Sequence, residues 1–438
     1  MAALLLTAHP VQSHEVNKNA IVLLIIKGSQ GQTISVGTGF IVQPEGVMIT
    51  NYHVLVDAVS VEAVFLNGDR VPVKGVRSYD RSMDFSILQL EEGFYSTLEI
   101  GDSDPLKVYS YTSALGYPSQ RLVRERGEMK GTLLQTYGFL LGRHPQALPG
   151  FSYFYTTTPF DPGFSGGPLV NQDNQVVGLA TLEGRAINLA LPINYIKPHL
   201  KETRLVTFRQ LLEEDRNSRE AFYYRGNFSL YALGEARRAI GLFERSLKID
   251  PDFVPARYDL AVAYRGVGQA EKAIAEYEKA LRINPNFPEA LSNLGGQYFR
   301  QGDLQKAITQ FEKAIQVYPN FIQALSNLGA ALNKQGKYEQ ALPYLKRALA
   351  LDPEFAVAHF NLGNAEYGMG NLDKAVKAFR SAVSMGVDFL SLHWKLYKIH
   401  LKKGQRRQAM AELQTILRID PQNPEASRKL REMQTPRP

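Results

Sequence analysis

From about residue 219 onward the apolar positions recur as one face of a helix. Leu291, Leu294, Gly295 and Tyr298 stand at i, i+3, i+4 and i+7, and a second run, Ala307, Phe311 and Ala314, follows at i, i+4 and i+7. The next unit repeats this with Leu325, Leu328, Gly329 and Leu332, then Ala341, Leu345 and Ala348; the one after gives His359, Leu362, Gly363 and Glu366, then Ala375, Phe379 and Ala382. Prolines at 251, 285, 319 and 353 mark a period of 34, broken at Val387 and resumed at Pro421. Between the paired helices stands a glycine, as in Gly268, Gly302, Gly336, Gly370 and Gly404. A proline stops each second helix. The first unit keeps Gly234 but has Asn217 in the proline's place, and the sixth has Tyr397 where the fifth has Gly363, with Trp394 nearby. A polar helix after Pro424 would close the stack.

The first half reads with a different period. Short apolar runs, Ile21–Ile26, Gly39–Gln43, Val61–Leu66, Phe85–Leu90, Val176–Ala180 and Ile187–Leu191, alternate with turn signals such as Asn67-Gly68 and Pro44-Glu45-Gly46. Many short strands argue for an all-β barrel or sandwich. The two halves meet near 200–217, through a charged helical stretch at Leu211 to Arg216.

Composition changes this picture little. The 438 residues suit two or three domains, and 44% hydrophobic with 21% charged residues is ordinary for globular domains. A net charge of +7 over this length calls for no nucleic acid, and the cluster Lys402, Lys403, Arg406 and Arg407 reads as a solvated helix end. The absence of cysteine excludes disulfides, thiolate metal sites and a cysteine nucleophile. Ala2–Ala8 is an apolar leader resembling part of a secretory signal, with Ser13 available for cleavage but no basic residues ahead of it. It favours an extracytoplasmic location, with the cytoplasm left open. No apolar run is long enough to span a membrane.

The chemistry is concentrated in Gly163-Phe164-Ser165-Gly166-Gly167-Pro168. Acyl transfer needs an exposed hydroxyl on a tight turn with backbone N–H groups free to meet an oxyanion, and glycines permit that turn. A base is offered by His53 in Thr50-Asn51-Tyr52-His53-Val54. A carboxylate to orient it is offered by Asp84, directly before the apolar run Phe85–Leu88, with Asp80 as the competitor. The order His, Asp, Ser, with gaps of 31 and 81 residues, is that of the chymotrypsin fold rather than of subtilisins or α/β-hydrolases. His9 and His14 lie near the terminus, His144 and His199 read as loop or surface residues, and His359, His393 and His400 fall on repeat helices. No pair has the spacing and carboxylate partners of a metal site, and the chemistry calls for no cofactor.

Two resemblances follow. The 34-residue units over 219–421 resemble six tetratricopeptide repeats. Residues 18–204 resemble a trypsin-like serine protease of the HtrA/Deg type, on the triad contexts together with Gly37-Thr38-Gly39-Phe40-Ile41, Ala114-Leu115-Gly116-Tyr117-Pro118 and Leu189-Ala190-Leu191-Pro192-Ile193-Asn194. They imply a multidomain β + α chain: leader 1–17, chymotrypsin-like double β-barrel 18–204, helical linker 205–218, all-α tetratricopeptide solenoid 219–421, and capping helix and tail 422–438. The protease resemblance implies Ser165 as nucleophile, His53 as general base then acid, Asp84 as orienter, and the N–H groups of Gly163 and Ser165 as oxyanion hole. Pro159 and Asp161 are candidates for the specificity pocket, and Pro159, six before Ser165, is not the acid of a Lys/Arg-specific trypsin, so an apolar P1 preference is the default. The repeat resemblance implies a protein or peptide partner on the concave face, with Asn293, Asn327 and Asn361, 34 apart, as its contacts. Oligomerisation is left open.

The chain departs from HtrA/Deg proteins in having Phe164 before the serine, where they usually have asparagine, and in having repeats where a PDZ-like domain would follow. Phe164 motivates a second reading. A bulky side chain beside the nucleophile would hold the oxyanion hole collapsed, making the barrel a silent or partner-switched scaffold that acts through its repeats.

Overall fold

The computed structural model describes residues 15–125, 128–145, 148, 150–181 and 188–434. The leader with Ser13, His9 and His14 lies outside the described residues. The chain forms two compact units, one reaching Pro285 and one from Asn286 onward.

The first unit begins with two closed six-stranded antiparallel barrels. Barrel one contains β1 (Ile21–Lys27), β2 (Thr33–Gln43), β3 (Val47–Thr50), β4 (Ser60–Val64), β5 (Arg70–Asp80) and β6 (Phe85–Leu90), in the spatial order β1-β2-β3-β6-β5-β4. β7 (Tyr111–Gly116) opens barrel two; a small hairpin of β8 (Val123–Glu125) and β9 (Glu128–Lys130) stands apart from it. β10 (Leu134–Pro145), β11 (Ser152–Thr156), β12 (Pro168–Val170), β13 (Val176–Thr181) and β14 (Asn188–Pro192) complete it, in the order β10-β11-β14-β13-β12-β7. Closure removes the exposed sheet edges that open sheets must protect. The unbroken apolar run of β1 is buried from Ile21 to Ile26, as a strand covered on both sides requires. His144, expected in a loop or at the surface, is fully buried in β10, and that desolvation pushes its imidazole down to about 4.

After a four-residue helix, α1 (Ile193–Ile196), the chain returns to barrel one, where Val206 and Val76 exchange two backbone hydrogen bonds of 2.8 Å. There α2 (Phe208–Asp215) starts on a capping box: the Thr207 side chain accepts from the Gln210 amide at 3.2 Å, and the Gln210 side chain accepts from the Thr207 amide at 2.9 Å. Ser218 caps α3 (Arg219–Asn227). With α4 (Ala236–Ile249), α5 (Val254–Gly266) and α6 (Ala270–Ile283), α3 forms the first two helical hairpins. One apolar core runs from Val22, Tyr52 and Leu88 of barrel one through Phe208 and Leu211 to Phe243 and Leu260 of these hairpins.

The second unit holds α7 (Pro288–Gln301), α8 (Leu304–Val317), α9 (Ile322–Lys334), α10 (Tyr338–Leu351), α11 (Ala356–Gly368), α12 (Leu372–Ser384), α13 (Leu390–Lys402), α14 (Arg406–Ile419) and α15 (Pro424–Gln434). Consecutive helices pair as the 34-residue period predicts. Gly363 shows why the small positions are needed: a Cβ there would lie 2.5 Å from the ring of Phe379 in the partner helix. In the sixth pair Tyr397 fills that position, buried with Leu413 and Ile416 and set edge-on to Trp394 at 5.7 Å.

His393 is buried between two carboxylates, Glu412 at 2.6 Å from Nδ1 and Asp388 at 2.5 Å from Nε2. Burial alone would depress this imidazole, but the two carboxylates outweigh it and raise it above its ordinary 6.5. A raised folded-state value means that the stabilisation is complete below the unfolded value and is lost as pH rises through the folded one. Urea unfolding followed by Trp394, the single tryptophan of the chain, should therefore show a midpoint that falls as pH climbs above 6.5. In His393→Gln that dependence disappears; if it persists unchanged, His393 is not its source.

Candidate active site

The loop before the serine is a tight turn, with the Phe164 amide donating to the Asp161 carbonyl at 2.9 Å and the Gly167 amide to the Phe164 carbonyl at 2.8 Å. Gly163 and Gly166 take φ of 103° and 87°, which side chains resist. At Gly166 a Cβ would also lie 2.1 Å from the Thr38 carbonyl oxygen. Thr38, from the Gly-Thr-Gly landmark, ties this turn to barrel one. Its amide donates to the Ser165 carbonyl at 3.0 Å, and its hydroxyl donates to the Gly163 carbonyl at 2.7 Å. Among the described residues the amide N–H groups of Gly163 and Ser165 have no intramolecular acceptor.

Phe164 points away from this surface. It is wholly buried in barrel two, its ring 6.4 Å from that of Phe160, in space that Gly116 leaves open. A Cβ on Gly116 would sit 2.8 Å from Phe164, so the departure at Phe164 and the landmark glycine fit together.

His53 starts a short turn after β3, its side chain 27% exposed, and Asp84 stands before β6, its side chain 1% exposed. Nδ1 of His53 lies 2.6 Å from Oδ2 of Asp84, and the His53 amide donates to Oδ1 at 2.8 Å. The Thr181 hydroxyl donates to Oδ2 at 3.1 Å, and the Asn51 side chain donates to the Asp84 carbonyl at 2.8 Å. Asp84 takes φ of 57°, a left-handed conformation that aspartate tolerates better than most residues. The competitor Asp80 faces elsewhere: its carboxylate accepts the amides of Ser82 and Met83, each at 2.8 Å. Thr38, Asn51 and Thr181 carried no signal of these roles in the sequence beyond the closeness of Asn51 to His53.

Pro159 and Asp161 are exposed ahead of the serine turn, and the Pro159 carbonyl accepts from the Thr136 hydroxyl at 2.7 Å. In the second unit Asn327 and Asn361 both line a groove of about 830 Å³ formed by α9, α11 and α13, and Asn293 is not among its lining residues. The Asn361 amide is engaged in holding α11 to α9, donating to the Ser326 hydroxyl at 3.0 Å. Lys402, expected at a solvated helix end, also lines the groove.

A family model described as a trypsin-like peptidase domain matches residues 37–179, which include His53, Asp84 and Ser165, and tetratricopeptide models match 230–295, 287–354 and 332–397. This chain is a trypsin-like peptidase domain joined to tetratricopeptide repeats. The peptidase part is similar to a protein named probable periplasmic serine endoprotease DegP-like from Chlamydia pneumoniae, 29% identical over 184 residues, 42% of this chain and 36% of that one. It is similar to one of the same name from Marinomonas sp., 33% identical over 34% of this chain and 30% of that one. It is also similar to the mitochondrial serine protease HTRA2 of Drosophila virilis, 29% identical over 39% of this chain and 40% of that one. The chain thus spans 30–40% of the length of these relatives. Among the described residues no helix is long and apolar enough to cross a membrane.

Proposed function

We infer that this protein is a serine endopeptidase whose repeats hold a protein or peptide partner. The observation that carries the first part is the His53–Asp84 pair, with its 2.6 Å bond and buried carboxylate, in a peptidase-like domain that presents Ser165 on a glycine-bounded turn. Asp84 accepts from Nδ1–H and leaves Nε2 as the base. His53 takes the Ser165 proton as Oγ attacks the scissile carbonyl carbon, and the oxyanion is met by the amides of Gly163 and Ser165. Collapse of the tetrahedral species, with the proton passed to the leaving amine, gives the acyl-enzyme; water deacylates it by the same steps in reverse. The inward ring of Phe164 removes the motive for a silent site. With Pro159 and Asp161 at the rim and no acid six before the serine, an apolar P1 side chain fits best. A fluorophosphonate probe tests this reading: it labels the wild type and not Ser165→Ala, and a wild type that stays unlabelled under all conditions returns the barrel to scaffold.

The groove of the second unit is the docking surface of this reading. Lys334, Lys395, Lys398 and Lys402 line it together with Asn327 and Asn364, and no carboxylate does so among the described residues. Burial and the neighbouring Lys398 lower the Lys395 ammonium, a cost that an anionic ligand would relieve. The partner is accordingly an acidic peptide segment. In titrations with an acidic and a basic peptide of equal length, only the acidic one binds, and Lys395→Ala with Lys398→Ala abolishes that binding. Equal affinity for both peptides would contradict the assignment.

A further inference from the structure

The segment joining the barrels to the repeats is bonded to the catalytic turn on both flanks. His53 lies between Tyr52 and Asp57. The buried Tyr52 hydroxyl donates to the carboxylate of Asp215, the last residue of α2, itself 2% exposed. Asp57, held at φ 65°, receives a forked pair from Arg225 of α3, with Nε to Oδ2 at 2.9 Å and Nη2 to Oδ1 at 2.6 Å. The loop leading to Asp84 is gripped by the same helices. Arg81 Nε donates to Asp215 Oδ1 at 2.8 Å, and the Arg81 carbonyl accepts from the Tyr224 hydroxyl at 2.7 Å. The Tyr224 ring stands 6.0 Å from the His53 imidazole.

Apolar contact alone would dock these helices on the barrel. Yet Tyr52, Arg81 and Asp215 are taken largely out of water, a burial that packed hydrocarbon often matches in stability, so the gain here is one of direction. Directional bonds fix what packing leaves loose: the rotation of the His53 turn and its distance from the Asp84 loop. A shift of about 1 Å in such a geometry is enough to cost roughly a hundredfold in rate. The anchoring groups on the helical side, Glu214, Asp215, Tyr224 and Arg225, lie in α2 and in the first repeat helix.

We propose that Asp215 and Arg225 are positioning residues, which hold the His53 turn and the Arg81 loop in the register that sets His53 against Asp84. The start of the solenoid is then part of the peptidase's working structure. This deepens the serine endopeptidase reading and rests on it.

The test uses the full chain as wild type, Tyr52→Phe, Asp215→Asn, Arg225→Ala and Arg225→Lys. Four readouts are taken: fluorophosphonate labelling rate, kcat and KM on a peptide, melting temperature, and the downfield Nδ1–H proton resonance of His53, assigned by its loss in His53→Ala. Tyr52→Phe and Asp215→Asn slow labelling and kcat by roughly ten- to a hundredfold. KM is unchanged, the protein remains folded at the assay temperature, and the His53 resonance is broadened. Arg225→Lys recovers more rate than Arg225→Ala. Wild-type labelling rates in folded variants with an unchanged resonance overturn the proposal, as does a rate loss that only follows the unfolded fraction. A wild type that shows the resonance but takes no label sinks the endopeptidase reading. Loss of that resonance in Tyr52→Phe then still supports the positioning role, and its persistence overturns it.

Discussion

In a peptide-hydrolysis assay, Ser165→Ala and His53→Ala each lower kcat by roughly 10⁴- to 10⁶-fold, and the double variant falls no further than the worse of the two. On the proposed mechanism the two groups act as one unit, since without the base Ser165 is a poor nucleophile, and without the nucleophile the base has no proton to take. Neither residue belongs to the apolar core of either barrel, so both proteins melt near the wild-type temperature. On the same mechanism what survives comes from the amides of Gly163 and Ser165 and from substrate binding. Measured kcat values that multiply in the double variant would show that His53 and Ser165 act separately, and the acyl-enzyme mechanism would have to be abandoned.

Asp84→Asn lowers kcat by roughly 10⁴-fold while leaving the barrel folded. Three donors share the two carboxylate oxygens: the His53 amide on Oδ1, and Nδ1–H and the Thr181 hydroxyl on Oδ2. An asparagine has one acceptor oxygen. If its NH₂ replaces Oδ2, Nδ1 must become an acceptor, the proton moves to Nε2, and the base is blocked. If its NH₂ replaces Oδ1, it faces the His53 amide donor to donor. Steady-state kinetics of Asp84→Asn beside Asp80→Asn decide the point, and a larger loss in the Asp80 variant would exchange their roles.

The legibility of this chain follows the range of its interactions. The repeats were readable because a 34-residue period restates the same local rules, and Gly363 against Phe379 is the contact those rules imply. His53, Asp84 and Ser165 were readable because each sits in a short string whose composition reflects its local backbone, as the left-handed Gly163 and Gly166 do. Among the strands that fall outside the apolar runs of the sequence are β5 and β10. Both are long, bulged and partly polar, with proline at Pro72 and Pro145, so neither shows a clean period of two. The direction of Phe164 was also out of reach, because it depends on a hole left by Gly116, 48 positions away in sequence. Least legible was the fate of the linker. Thr207 and Gln210 announce a helix start, but nothing local says that Asp215 will meet Tyr52, a residue 163 positions earlier.

The uninterrupted core from Val22 to Leu260 bears on how this protein can be cut. A truncation at 204, where the sequence changes character, would strip the cover from barrel one, expose the apolar surface beneath Phe208 and Leu211, and leave Arg81 without its counter-ion Asp215. The compact unit that contains this core ends at Pro285, after the second hairpin. As a folding entity, the trypsin-like domain has taken the first two repeats into its own body.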